Sequence, residues 1–168
     1  LAALKSACKF SPSASLGAGQ VVFTLAPRIN AAGRLGSSES ALELLLTRDR
    51  ARAEELAAHL SKLNTERREE EDRILLEAME QAEQQVAQGA MGLVLHSPGW
   101  HPGVIGIVAS RGVETMHRPV VVLSHGAESL QGSGRSVSCF NMHEDCTQCS
   151  DPFIGLCGHT NAPGVSLA

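Results

Sequence analysis

The stretch from Thr47 to Gln88 limits the fold more than any other, because it runs without glycine or proline until Gly89. Thr47 or Asp49 can cap a helix N-terminus, and Gly89 can end one. Apolar residues recur at helical spacing near both ends: Ala53, Leu56, Leu60 and Leu63, then Ile74, Ala78, Ala82 and Val86. Between them, Asn64 to Arg73 offers nothing apolar. Unbroken, such a rod would span roughly 60 Å at 1.5 Å per residue. It is expected to join two bodies across solvent, since a helix charged in its middle cannot lie on one core along its length. Two surface helices with a frayed join are the competing arrangement.

The same stretch carries the charge imbalance. Residues 48–88 hold 7 of the 14 basic and 11 of the 18 acidic residues, which accounts for the whole net charge of −4. The remainder is neutral overall, so a broad basic face is excluded and any anion site must be local. A hydrophobic content of 43% suffices for a packed core. No apolar run reaches membrane length and no signal segment is recognisable. With five cysteines, an odd number, a reducing compartment and hence the cytoplasm is expected. The chain, whose length fits one or two small domains, begins at Leu1 without Met and stops inside what reads as a strand, so it reads as a piece of a longer polypeptide.

Candidate chemistry is spread along the chain. Leu1 to Cys8 can close a helix, and Val21-Val22-Phe23 reads as strand or buried helix. In Ala26 to Gly36, Pro27 and Gly33 are expected to disrupt regular structure, while Arg28, Asn30 and Arg34 crowd together. Arginines beside a permissive backbone can present forked donors to phosphate oxygens. The alternative is a helix–turn segment whose arginines hold carbonyls or carboxylates. Ser38 to Leu46 reads as a short helix. Gly92 to His96 and Pro119 to Leu123 read as strands around a helix that Pro102 opens and that ends near His117, a small α/β layer. Trp100 can stack an unpaired base or anchor a core, and His101 suits a local hydrogen bond at the helix start.

In Gln131 to Val137, Gly132 and Gly134 would let a ligand approach the backbone. Ser133 and Arg135 fall on one side if the stretch is extended, a hydroxyl and a guanidinium for one anion. A glycine-rich hairpin with a surface arginine is the plainer reading. Asn141 to Ser150 is expected to be helical. Gly155 to His159 reads as a glycine turn whose N–H groups can nest an oxyanion, with His159 adding a donor or a proton. Cys139, His143, Cys146, Cys149, Cys157 and His159 form a competing set of zinc ligands with one Cys-x-x-Cys spacing, against buried or incidental thiols.

Taken in order, Ala26 to Arg34, Leu63-Asn64-x-x-Arg67, Trp100 to Ala109, Gly132 to Ser136 and Gly158-His159 resemble the RecJ exonucleases of the DHH phosphoesterase family. The resemblance runs from about Gln20 to the end. It implies an α/β architecture: residues 1–47 as the C-terminal end of a DHH catalytic domain, 48–88 as a long connecting helix, and 89–168 as a small mixed α/β DHH-associated domain, truncated at its C-terminus. It implies 5′→3′ hydrolysis of single-stranded DNA to mononucleotides in repair and recombination, with Mn2+ or Mg2+ activating water. Neither an Asp-His-His nor an Asp-x-Asp run occurs here, so metal and catalytic residues are expected outside this chain.

What the resemblance leaves to this portion is the grip on a 5′-phosphorylated strand, held between the two domains. Arg28, Asn30 and Arg34 would act on one side, and Trp100, His101, Ser133, Arg135, Gly158 and His159 on the other. Other DNA-repair proteins are the remaining implied partners, and a membrane is not among them. Cys157, Pro163, Cys139 and Gly112 depart from the family pattern. A Cβ at Cys157 puts the nest geometry in doubt. Other DHH phosphoesterases, acting on short oligonucleotides or cyclic dinucleotides, and a non-catalytic nucleic-acid- or zinc-binding module are the alternatives.

Overall fold

Leucine and alanine alone make up the buried core cluster of the first half of the chain. The computed structural model describes residues 1–126, 129–149 and 153–167, so Ser150 of the expected helix and the terminal Ala168 lie outside the described residues. The chain divides into two compact units, Leu1–Glu69 and Glu70–Ala168. In the first, α1 (Ala2–Ala7), α2 (Ala18–Gln20), a π-helical turn (Val21–Leu25), α3 (Ala26–Leu35) and α4 (Glu39–Leu46) surround the start of α5 (Arg50–Ala87). Leu4, Leu25, Ala32, Ala41 and Leu44 meet Leu56, Ala57 and Leu60 in one core. Leu60 is fully buried, and truncating such a leucine to alanine costs about 2–5 kcal/mol.

Two expectations fail in this unit. Val21, Val22 and Phe23 belong to neither a strand nor a buried helix; they sit on the π turn, and Phe23 is 82% exposed. Nor do Pro27 and Gly33 disrupt the arginine segment, which is helical as α3. The π turn widens the backbone just before the proline, with the Ala26 N–H bonded to the Val21 carbonyl, and Pro27 then falls in the first turn of α3. There the missing N–H is tolerated.

The helix expected over residues 47–88 is α5. Asp49 caps it, its carboxylate accepting from the N–H groups of Ala51 (2.9 Å) and Arg52 (3.3 Å), and Gly89 closes it at φ +86°. Its charged middle is less solvated than the sequence suggests. Asn64 and Glu71 are buried, and Asn64 Oδ1 accepts from Arg67 Nη2 at 3.2 Å. The boundary between the two units falls inside α5, after Glu69.

In the second unit, β1 (Leu93–His96), β2 (Val120–His125), β3 (Leu130–Arg135), β4 (Phe153–His159) and β5 (Ala162–Leu167) form a sheet in the order β1-β2-β3-β5-β4. The β1–β2 pair is parallel and the other pairs antiparallel. The parallel pair requires a crossover, supplied by α6 (Pro102–Met116), which His117 ends in the left-handed region at φ 52°. α6 covers one face of β2 and β3, while α7 (Met142–Gln148) packs by Met142 on the other.

The open edge of β1 is closed by side chains. Gln85 exchanges two hydrogen bonds with the Val94 backbone and Gln81 two with His96, all between 2.6 and 3.0 Å. Two glutamines one helical turn apart thus imitate a neighbouring strand and protect the edge. The segment Gly155 to His159, expected as a turn, is instead the paired strand β4. The turn lies at Thr160 and Asn161. Strand pairing with β5 supplies what the local glycine content does not reveal.

Candidate nucleic-acid interface

Alternation along β3 places Ser133 and Arg135 on the face toward α6, and Gly132 and Gly134 on the face toward α7. Arg135 Nη1 donates to Ser133 Oγ at 2.9 Å and to the Gly134 carbonyl at 2.6 Å, so the guanidinium lies along its own strand beside the hydroxyl. The glycines have a different reason from the one the sequence suggests. A Cβ on Gly132 would lie 2.5 Å from Leu123 and 2.4 Å from Val165, and one on Gly134 2.6 Å from the Met142 sulfur. They make room for the side chains packed on the α7 face of the sheet, not for a ligand beside Ser133 and Arg135.

The register extends the face of Ser133 and Arg135 across two more strands. Ser133 pairs with Gly164, and Gly164 with Cys157. The Ser136 N–H donates to the Asn161 carbonyl at 3.0 Å, so the ladder continues past Arg135. That register sets Ala162 beside Arg135, and Ala162 pairs in turn with His159. Arg135 and His159 therefore flank a low floor of Ala162 and Gly164, with Cα atoms about 10 Å apart, two strand spacings. Gly158 shapes the end of this row: its φ is +110°, and a Cβ there would lie 2.6 Å from the Ala162 carbonyl oxygen. The glycines of β4 do not form the expected N–H nest, because they lie in a paired strand. Cys157 is in that strand too, with its sulfur against Gly164.

Other sequence candidates are placed differently. Trp100 is 2% exposed, with Nε1 donating to Glu77 Oε2 at 2.7 Å; it anchors the core and offers no face to a base. His101 caps α6, its Nδ1 accepting from the Gly103 N–H at 3.0 Å. Arg73 donates to the Gly99 carbonyl and to Glu70, and its hydrogen bond and charge hold the Glu70 carboxyl below the usual range.

In the first unit, Asn30 and Arg34 are exposed and one turn apart on α3. Arg28 points elsewhere, with Nη1 donating to the Thr24 carbonyl at 2.6 Å and Nε to Ser61 Oγ at 3.2 Å. Arg28 thus holds a backbone carbonyl, as the alternative reading had it.

Among the described residues, no group of three or more His, Cys, Asp or Glu is placed to hold a metal ion. Cys139, Cys146 and Cys149 instead border an open apolar pocket of about 620 Å³ with Met91, Val121 and Phe140, and burial pushes the Cys146 thiol up. The described residues do not fit a divalent metal centre. No helix is long and apolar enough to cross a membrane among the described residues.

The residue that sequence reasoning missed is Gly106 of α6. A Cβ there would lie 3.1 Å from Ser133 Oγ and 3.3 Å from Arg135 Nη2. Its signal was a glycine inside a helical apolar run, a position that costs about 1 kcal/mol against alanine and calls for a reason.

The helical unit, the long helix and the five-stranded mixed sheet recur in solved structures of exonuclease RecJ. No family profile matches the chain. It is 41% identical over 149 residues to the single-stranded-DNA-specific exonuclease RecJ of Bacillus subtilis, a match covering 88% of this chain and 19% of that protein. The crystal structure of RecJ from Thermus thermophilus in complex with Mg2+ superposes with a TM-score of 0.85 at 38% identity, over 98% of this chain and 25% of that one. That of exonuclease RecJ bound to manganese gives 0.80 at 36%, over 98% and 40%. The chain thus spans well under half the length of each protein it matches. It belongs to the RecJ family.

Proposed function

We propose that this chain is the strand-gripping portion of a single-stranded-DNA exonuclease that degrades DNA 5′→3′ to mononucleotides in repair and recombination. The observation that carries the reading is the pairing of Arg135 with Ser133 at 2.9 Å on one face of β3. A phosphate bound there takes charge-assisted bonds from the guanidinium and one from the serine hydroxyl. A terminal phosphate, with more charge and one more free oxygen than an internal one, is the ligand such a pair favours. His159, across the floor of Ala162 and Gly164, adds a donor to the same strand. Asn30 and Arg34 present an amide and a guanidinium to the sugar–phosphate backbone from α3.

Mg2+ or Mn2+ supplies activation of the attacking water in the intact enzyme and is held by residues outside this chain; every role assigned here is binding or orientation. Alone, the chain binds and does not cleave. We place it in the cytoplasm, in keeping with five cysteines that carry no disulfide. The test is a chimera in which this chain replaces the matching portion of the Thermus thermophilus RecJ. Release of mononucleotides from single strands under Mg2+ or Mn2+ is the expected result. A folded chimera that leaves single strands intact, beside an active parent, contradicts the reading.

A further inference from the structure

We propose that Gly106 is a positioning residue for the phosphate grip, an inference that rests on the reading of Ser133 and Arg135 given above. The backbone of α6 comes so close to β3 at this point that any side chain would press on both groups at once. An alanine methyl at 106 would stand 3.1 Å from the serine Oγ and 3.3 Å from the arginine Nη2, both tighter than ordinary van der Waals contact. The serine hydroxyl is the softer neighbour, because it can rotate about a single bond. Rotation takes its oxygen off Arg135 Nη1, whose bond to it is 2.9 Å, and the guanidinium loses a partner that orients it.

Gly106 therefore acts through Ser133 and Arg135 and touches no substrate itself. Two effects of opposite sign separate this role from a structural one. Alanine is the better helix former, so the substitution favours α6 while it disturbs the pair. Gly112, in the same helix, supplies a control: a Cβ there would lie 3.3 Å from both methyls of Val120, comparable crowding against an apolar neighbour.

The experiment measures binding of one single-stranded oligonucleotide, with either a 5′-phosphate or a 5′-hydroxyl, to the chain and to its Gly106→Ala and Gly112→Ala variants. Thermal melting is followed in parallel. The unaltered chain is expected to prefer the 5′-phosphate. Gly106→Ala is expected to lower that preference about tenfold, the loss of one charge-assisted bond. Its melting midpoint should stay within about 4 °C of the parent. Gly112→Ala should keep the preference. A preference that survives in Gly106→Ala overturns the inference and leaves the grip standing. An equal loss in Gly112→Ala also overturns it, since the effect then belongs to the helix. Absence of any preference in the unaltered chain overturns the grip itself, and this inference with it.

Discussion

Arg28 and Arg135 each have a serine hydroxyl and a carbonyl within reach, and the two neighbourhoods use them differently. Arg28 lies on a helix, and its bond to Ser61 ties α3 to α5 while its bond to Thr24 holds the preceding π turn. Arg135 lies on a strand, and the partners Ser133 and Gly134 are its own immediate neighbours, so these two bonds join no separate elements. Ser61 is further committed by donating to the Ala57 carbonyl at 2.9 Å. A guanidinium that bridges elements serves stability. Arg135, held beside the serine hydroxyl of its own strand, is the guanidinium we propose for the ligand.

The largest expected effect lies with Arg135. Arg135→Ala should weaken binding of 5′-phosphorylated single strands by about 1–3 kcal/mol. Arg28→Ala should do the converse, lowering stability by about 1–2 kcal/mol for two part-buried hydrogen bonds while phosphate binding holds. If Arg28→Ala weakens binding as much as Arg135→Ala in a protein that still melts normally, the contrast between the two pairs is lost. Ser61→Ala should cost only about 0.5–1 kcal/mol, because Arg28 keeps its bond to Thr24.

The smallest effect is one of pH. Glu70 is held below the usual carboxylate range by Arg73, so the pair contributes stability above the ordinary carboxylate pKa and loses it as pH falls through the lowered value. Side chains this accessible put the contribution at under about 1 kcal/mol. Melting between neutral pH and pH 3 should show a correspondingly shallow loss, smaller still in Arg73→Ala. An identical acid dependence in that variant removes the pair from the account.

Much of the second unit is legible in its residues. A short apolar run marks β1 and a β-branched run β2, and Pro102 and Pro119 bracket α6 and its exit. The period-two rule alone put Ser133 and Arg135 on one side. What escaped depends on partners distant in sequence. The helical state of Ala26 to Leu35 needed a π turn before Pro27, which no local propensity announces. Gly155 to His159 reads as a turn until β5 is there to pair with it. The purpose of Gly132 and Gly134 is visible only once Leu123, Val165 and Met142 occupy the opposite face. Trp100 could be read either way until Glu77 was found at its indole nitrogen.

The central claim is that β3 holds the terminal phosphate of a single strand, and a double-mutant cycle of Ser133→Ala and Arg135→Ala addresses it most directly. Each form is titrated with the same oligonucleotide bearing a 5′-phosphate or a 5′-hydroxyl. Because both groups would serve one phosphate, the account predicts that Arg135→Ala alone removes most of the phosphate preference. Adding Ser133→Ala should remove little more, a coupling of about 0.5–3 kcal/mol. A phosphate preference that persists undiminished in the double variant would contradict the account.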